Sequence, residues 1–490
     1  MYTFLISVAV LVAGYFLYGR FIERVMGPDP GRQTPAFTKQ DGVDFIPMPS
    51  WKVFLIQLLN IAGTGPIFGA ILGAKYGPAC YLWIVLGCLF GGAVHDYMAG
   101  MLSVRHGGIG LPDIVGRYVG GKSKKVMLGF SVLLLILVGA VFVYSPAIIL
   151  GDLIGDGSSS AVMIWVFVVL VYYIVATLVP IDKIIGRIYP VFAVALLFMA
   201  LSLFACLIVK WPSNIPEMWD GIANRSPQSG SIFPCMFISI ACGAISGFHA
   251  TQSPLMARCM KNEKLGRPIF FGSMVTEGFI ALVWATVSSW FFFAGGDAEL
   301  GAEGVSAAPA VVNAVSKGWL GAFGGFLALL GVVIAPITSG DTALRSCRLI
   351  IADAFKLEQK SLHRRLLVAV PLFAVTGLLL WYNISNAEGF DKIWRYFGWA
   401  NQTLSIFTLW SITAFLVGYR KKPLYLITLL PACFMSAVCA TFILTAKIGF
   451  NLPEASIPYI GIGAFMLPII GFYCFRPQLT NAVRRTSTDQ

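Results

Sequence analysis

Gln57-Leu58-Leu59-Asn60-Ile61-Ala62-Gly63-Thr64-Gly65-Pro66-Ile67-Phe68-Gly69 is an apolar run with a proline and several glycines at its middle. Proline removes a backbone donor and glycine relaxes the chain, so a membrane helix is expected to unwind here. Irregular backbone at that depth survives only where protein buries it or where it lines a wet cavity, which makes the break a candidate binding site. Gln57, Asn60 and Thr64 add polar groups that packing alone does not require. Gly65, Gly69 and Gly73, spaced by four, also offer a small-residue face for close helix contact.

Five spans later the pattern returns as Cys242-Gly243-Ala244-Ile245-Ser246-Gly247-Phe248-His249-Ala250-Thr251-Gln252-Ser253-Pro254. An odd offset means that the second break crosses the membrane in the opposite sense, the mark of an inverted-topology repeat. Residues 51–209 and 233–417 then form two five-helix halves around an external loop at 210–232. Residues 1–50 add an N-terminal helix and a cytoplasmic loop; 418–490 add two helices and a cytoplasmic tail.

The rest of the chain agrees with a lipid solvent. Of 490 residues 57% are hydrophobic and only 12% charged, with a mean hydropathy of +0.79, whereas soluble domains carry ~25% charged residues. Apolar segments near the ~20 residues needed to cross a bilayer fall at about thirteen places: 2–19, 51–73, 80–103, 126–150, 161–181, 188–209, 233–257, 269–294, 321–343, 366–382, 396–417, 423–445 and 457–475. The fold class is therefore an all-α polytopic membrane protein.

Of the 35 Lys and Arg, only Lys75, Lys210, Arg225, Lys317, Lys392, Arg395 and Lys447 fall on one side of these spans, and the remainder fill the loops on the other. Positive residues stay in the cytoplasm, which predicts an external N-terminus and a cytoplasmic C-terminus in the inner membrane. The net charge of +12 is thus a topology signal and implies no nucleic-acid partner. Residues 1–18 lack a basic leader and a small-residue cleavage site, so they are expected to remain as the first helix. The second long external loop, 295–320, is acidic at Asp297, Glu299 and Glu303, with a helical stretch expected over 308–315. Eight of ten cysteines fall in apolar spans and none forms a CxxC pair, so buried thiols are expected and not a disulfide or metal framework. No HExxH motif points to an intramembrane enzyme, and no repeated pore-lining ring points to a channel.

Ionisable groups within lipid are costly and are functional candidates by default. His95 and Asp96 lie on the third span, His249 in the second break and Glu277 on the eighth span. Thr338, Ser339 and Asp341 gather near the end of the ninth, where hydroxyls and carbonyls would suit Na⁺. Structural alternatives stand beside each: Asp96 paired with Arg105, Glu277 paired with a loop base, Asp341 opposite Arg345 or Arg348. The candidate substrate-binding set is Asn60, Thr64, Gly65, Pro66 and Phe68 in the first break, Ser246, His249, Thr251 and Gln252 in the second, and Asn401. The candidate coupling set is His95, Asp96, Glu277, Thr338, Ser339 and Asp341, with H⁺ or Na⁺ as the ion and no other cofactor.

Five blocks carry a family resemblance: Gly63 to Gly69, Gly91 to Tyr97, Cys242 to Ala250, Thr338 to Thr342 with Arg345, and Phe397 to Gln402. In this order they resemble the signature segments of the carbon starvation A (CstA) family of peptide and pyruvate transporters. The resemblance implies a secondary transporter related to the amino acid, polyamine and cation superfamily, with a LeuT-like core of two inverted five-helix repeats. It implies small peptides or pyruvate as substrate and, for some members, a proton as driver. This chain is shorter than the long members, and has Gly63-Thr64-Gly65-Pro66 where the family pattern is Gly-Pro-Gly-Pro. Unpaired backbone donors at a helix start favour an anionic group, and both substrates supply a carboxylate.

Overall fold

The computed structural model describes the chain except for residues 43, 156, 179–180, 296–306, 360, 387, 420–422 and 489–490. The acidic positions Asp297, Glu299 and Glu303 lie outside the described residues. Among the described residues there is no strand. The helices are α1 (Tyr2–Met26), α2 (Ser50–Ala62), α3 (Gly65–Ala74), α4 (Ala79–Arg105), α5 (Gly121–Asp152), α6 (Ser159–Thr177) and α7 (Tyr189–Lys210). They continue as α8 (Gly247–Ala257), α9 (Glu263–Phe293), α10 (Ala307–Ala354), α11 (Leu362–Ser385), α12 (Gly389–Tyr419), α13 (Leu426–Thr445) and α14 (Glu454–Arg476).

Among the described residues ten of these are long and apolar enough to cross a membrane, and the bent pair α2–α3, taken as one span, makes an eleventh. One expected span is interrupted where its glycines indicated, and another is part of a longer helix. The stretch 233–257 divides into short turns over Ile232–Ser239, an irregular segment, and α8. The stretch 321–343 lies within α10, which is kinked at Gly321, where φ is 65°. The helix expected over 308–315 is the first part of that same element.

Both breaks follow from local chemistry. At Gly63 the backbone takes φ 43° and ψ −148°, and a Cβ there would stand 2.5 Å from the Phe142 ring. Only glycine fits that conformation and that space. Pro66 then sits in the first turn of α3, where a missing N–H costs nothing, and the two halves meet at 55°. In the second break the helix stops at Ile240, and neighbouring side chains take up the freed carbonyls. Trp83 Nε1 donates to Ile240 O at 3.0 Å, and Gln402 Nε2 to Phe237 O at 2.9 Å.

The broken segments cross closely: a Cβ on Gly69 would stand 2.7 Å from the carbonyl oxygen of Ser239, and one on Gly65 would run into Cys242. Around the crossing, α4 and α9 are the most enclosed spans, with 83% of each apolar window buried, against 11% for α14. The outer helices α1, α6, α11 and α14 show apolar side chains such as Ile6, Phe167, Leu378 and Ile462 on the surface, as lipid-facing helices do. The ionisable residues therefore sit on the elements that other protein surrounds, where partners exist.

Candidate functional site

On α2, Gln57 and Asn60 are spaced by three residues and share one helix face, and Thr64 follows within the break. All three are fully buried, and their side-chain polar atoms make no hydrogen bond with any described residue. A buried polar group without a partner costs about 1–3 kcal/mol. Native folds retain such groups where they serve a purpose other than stability. Gly65, Pro66 and Phe68 form the turn that follows, and the Phe68 ring stands 5.7 Å from that of Trp394.

In the second break Ser246 precedes α8, and its hydroxyl donates to Asn401 Oδ1 at 2.9 Å. The Phe248 N–H donates to the same oxygen at 2.8 Å, so a side chain of α12 caps α8 in place of a local residue. The Asn401 amide also donates to Cys242 Sγ at 3.5 Å. Asn401 thus fixes the break. Thr251 donates to the carbonyl oxygen of Phe248 at 2.6 Å and accepts from Gln252 Nε2 at 2.9 Å, leaving Gln252 Oε1 without a described partner.

The ionisable residues of three separate elements meet at one point. Asp96 on α4 receives His95 Nδ1 at 2.8 Å on one oxygen and His249 Nδ1 of α8 at 2.9 Å on the other. His249 Nε2 in turn faces Glu277 Oε2 of α9 at 3.4 Å. All four residues are fully buried. A carboxylate only accepts, so His249 carries a proton on Nδ1 toward Asp96. Its Nε2 and the Glu277 oxygen are then a site for one further proton; passing that proton between them leaves the charge of the cluster unchanged, whereas its uptake or release changes the charge by one. Left unpaired, each charge would cost roughly 2.5–3.5 kcal/mol at mid-membrane, so collecting them here offsets most of that penalty.

The donor atoms of Cys242, His249 and Glu277 lie within 4.8 Å of one another, a set able to hold a soft divalent ion. The Cys242 sulfur is already engaged by Asn401 and lies 3.7 Å from the Ser246 hydroxyl. A proton accounts for the 3.4 Å contact without a metal.

The coupling candidates fall into two groups, not one. Asp341 accepts from the Tyr189 hydroxyl at 2.7 Å and lies 4.0 Å from Arg345, which also donates to the carbonyl oxygen of Ala176. Thr338 donates to carbonyls of its own helix at 2.9 and 3.0 Å. Ser339 donates to the carbonyl oxygen of Leu59 at 2.7 Å and accepts from the Gly63 N–H at 3.2 Å, fastening α10 to the first break. Asp96 pairs with histidines and not with Arg105, which binds the carbonyls of Met26 and Gly27 at 2.9 Å and lies 3.4 Å from Glu263. Sequence reasoning missed Tyr173 and Tyr189. The Tyr173 hydroxyl lies 2.9 Å from the carbonyls of both Phe142 and Pro336, joining α5 to α10. The usable signal was a tyrosine within an apolar helix, whose hydroxyl needs a partner once buried.

Interrupted, crossed helices with a buried titratable network at the crossing define a membrane transporter, and solved structures of that class share the fold. A manganese transporter of Eremococcus coleocola superposes with a TM-score of 0.59 at 12% identity, over 91% of this chain and 99% of that one. The sequence profile described as carbon starvation protein CstA matches residues 1–163, 147–316 and 289–442, and the chain belongs to that family. A Haemophilus influenzae protein named only as an uncharacterized membrane protein is 45% identical over 60% of this chain and 91% of its own. The Campylobacter jejuni peptide transporter CstA is 26% identical over 89% of this chain and 78% of its own. The Escherichia coli pyruvate/proton symporter BtsT is 24% identical over 91% and 81%. The Campylobacter jejuni and Escherichia coli relatives are named as transporters and not as enzymes.

Proposed function

We propose that this protein is a secondary active transporter of the inner membrane that takes up small peptides by alternating access, driven by a proton. The observation that carries this reading is the Asp96–His249–Glu277 chain, in which one residue belongs to the second break and the others to the helices enclosing it. Opening or closing the break alters the distance between His249 and its partners and so the affinity for the proton; binding solute at the break biases the same equilibrium. The solute contacts would come from the unpartnered side chains of Gln57, Asn60 and Thr64, with Gly65, Pro66, Phe68, Ser246, Thr251 and Gln252 shaping the crossing. Asn401 acts by holding Ser246 and the start of α8.

The matched breaks five spans apart support two inverted five-helix repeats over 51–209 and 233–417, and the alternation of basic loops supports thirteen spans and an external N-terminus. The names of the Campylobacter jejuni and Escherichia coli relatives support peptides first and pyruvate second. The histidine–carboxylate network favours a proton over Na⁺, because the hydroxyls of Thr338 and Ser339 are already hydrogen-bonded within the fold. The test is uptake of labelled di- and tripeptides and of pyruvate into proteoliposomes under a proton gradient and, separately, a Na⁺ gradient. Peptide accumulation with protons is expected. Pyruvate accumulation alone would transfer the reading to pyruvate/proton symport, and accumulation only with Na⁺ would displace the proton.

A further inference from the structure

A cavity of about 220 Å³ lies beyond the first break, between the end of α3, the loop after α7 and the start of α12. Its lining includes two cations, Lys75 and Arg395, and one anion, Asp391. Arg395 and Asp391 pair at 3.8 Å on one helix face. Lys75 is only 7% exposed. Its ammonium stands 5.4 Å from the Phe292 ring and makes no hydrogen bond or ion pair with any described residue. The carboxylate that acts on this ammonium is Asp391, which Arg395 shares, so two cations face one anion and the lining carries a surplus positive charge that a visiting anion would neutralise. The Tyr76 hydroxyl donates to the carbonyl oxygen of Ser229 at 2.8 Å and ties the loop over the cavity.

The cavity also stands in line with the crossing. Trp394, in its wall, lies 5.7 Å from Phe68 and 5.5 Å from Phe397. Phe397 lies 5.9 Å from Phe142, and Phe142 lies 6.2 Å from Phe248, the residue before His249. A septum of aromatic rings therefore separates a cationic chamber from the titratable network.

We propose that this chamber is a reception site for the carboxylate of the incoming solute, with Lys75 as the principal cation and Arg395 as the second. The proposal rests on the transport reading above for the identity of the solute, and on the chamber alone for the chemistry of recognition. Asp391 gives the same chamber an acceptor for the ammonium of a peptide, whereas a simple carboxylate would use the cations only.

The chamber contains its own reporter, Cys235. Seven other cysteines are buried, and Cys206 and Cys474 can be changed to Ser to leave Cys235 as the reactive thiol. The experiment compares the rate at which Cys235 in the purified, reconstituted protein is modified by a negatively charged and by a positively charged methanethiosulfonate. It then tests protection by pyruvate, by dialanine and by uncharged methyl pyruvate. The proposal predicts faster reaction with the anionic reagent, protection by pyruvate and dialanine but not by methyl pyruvate, and a roughly tenfold or greater loss of that preference in Lys75→Gln. Equal rates for the two reagents, or protection by methyl pyruvate as good as by pyruvate, would overturn it. The protection assay needs no variant, so a misfolded Lys75→Gln leaves it decisive. Charge-selective protection in a protein that accumulates none of these solutes would keep the chamber and reject the transport reading.

Discussion

His106, just past the end of α4, shows how one side chain sets a pH limit on the fold. It lies between Tyr118, 2.6 Å from Nε2, and Arg117, which donates to Nδ1 at 2.7 Å. Burial first, then the charges of Arg117 and Arg105, push its pKa from 6.5 down to about 4. Between those values the unfolded chain binds a proton that the folded protein does not, so stability falls as pH drops through the window. Thermal unfolding in detergent should show a lower midpoint at pH 5 than at pH 7, and His106→Asn should flatten that difference. Asp96, His249 and Glu277 were individually visible as ionisable residues in apolar sequence. Their meeting was not, because 153 positions separate Asp96 from His249 and only tertiary packing closes that distance.

At the scale of elements, the breaks were legible because glycine and proline leave a local signature that no neighbour can erase. What holds them was less so. Asn401 was a candidate substrate contact, and the structure places its oxygen on Ser246 and the Phe248 N–H. The close crossing of the broken segments depends on side chains that are absent. A Cβ on Gly69 would meet a backbone carbonyl, which cannot rotate away, so Gly69→Ala should cost about 1–3 kcal/mol as overpacking. Gly377 on α11 has no atom within 4 Å of the same construction, and Gly377→Ala should leave stability unchanged or slightly raised. Thermal unfolding of the two variants side by side checks the contrast; equal behaviour would mean that the breaks do not touch as described.

Across the whole molecule, the alternation of basic loops predicts that the C-terminal tail is cytoplasmic together with the loops holding Arg105, Arg258 and Arg364. Single cysteines placed in these loops and in the tail should resist an impermeant thiol reagent applied to intact cells, whereas one placed near Arg225 should react. The ten to eleven recognisable spans were legible from hydropathy alone. The stretch 321–343 was read as a plain span because hydropathy averages over the kink at Gly321, whereas the interruption within 233–257 was legible from its glycines and proline. The account turns on proton transfer at the second break, and Glu277→Gln isolates it by removing one titrating oxygen while keeping the side chain's shape. In proteoliposomes, solute exchange without a gradient and accumulation under a proton gradient should be measured on the same preparation of this variant. The account predicts that exchange persists while accumulation is lost; accumulation at the wild-type level would contradict it.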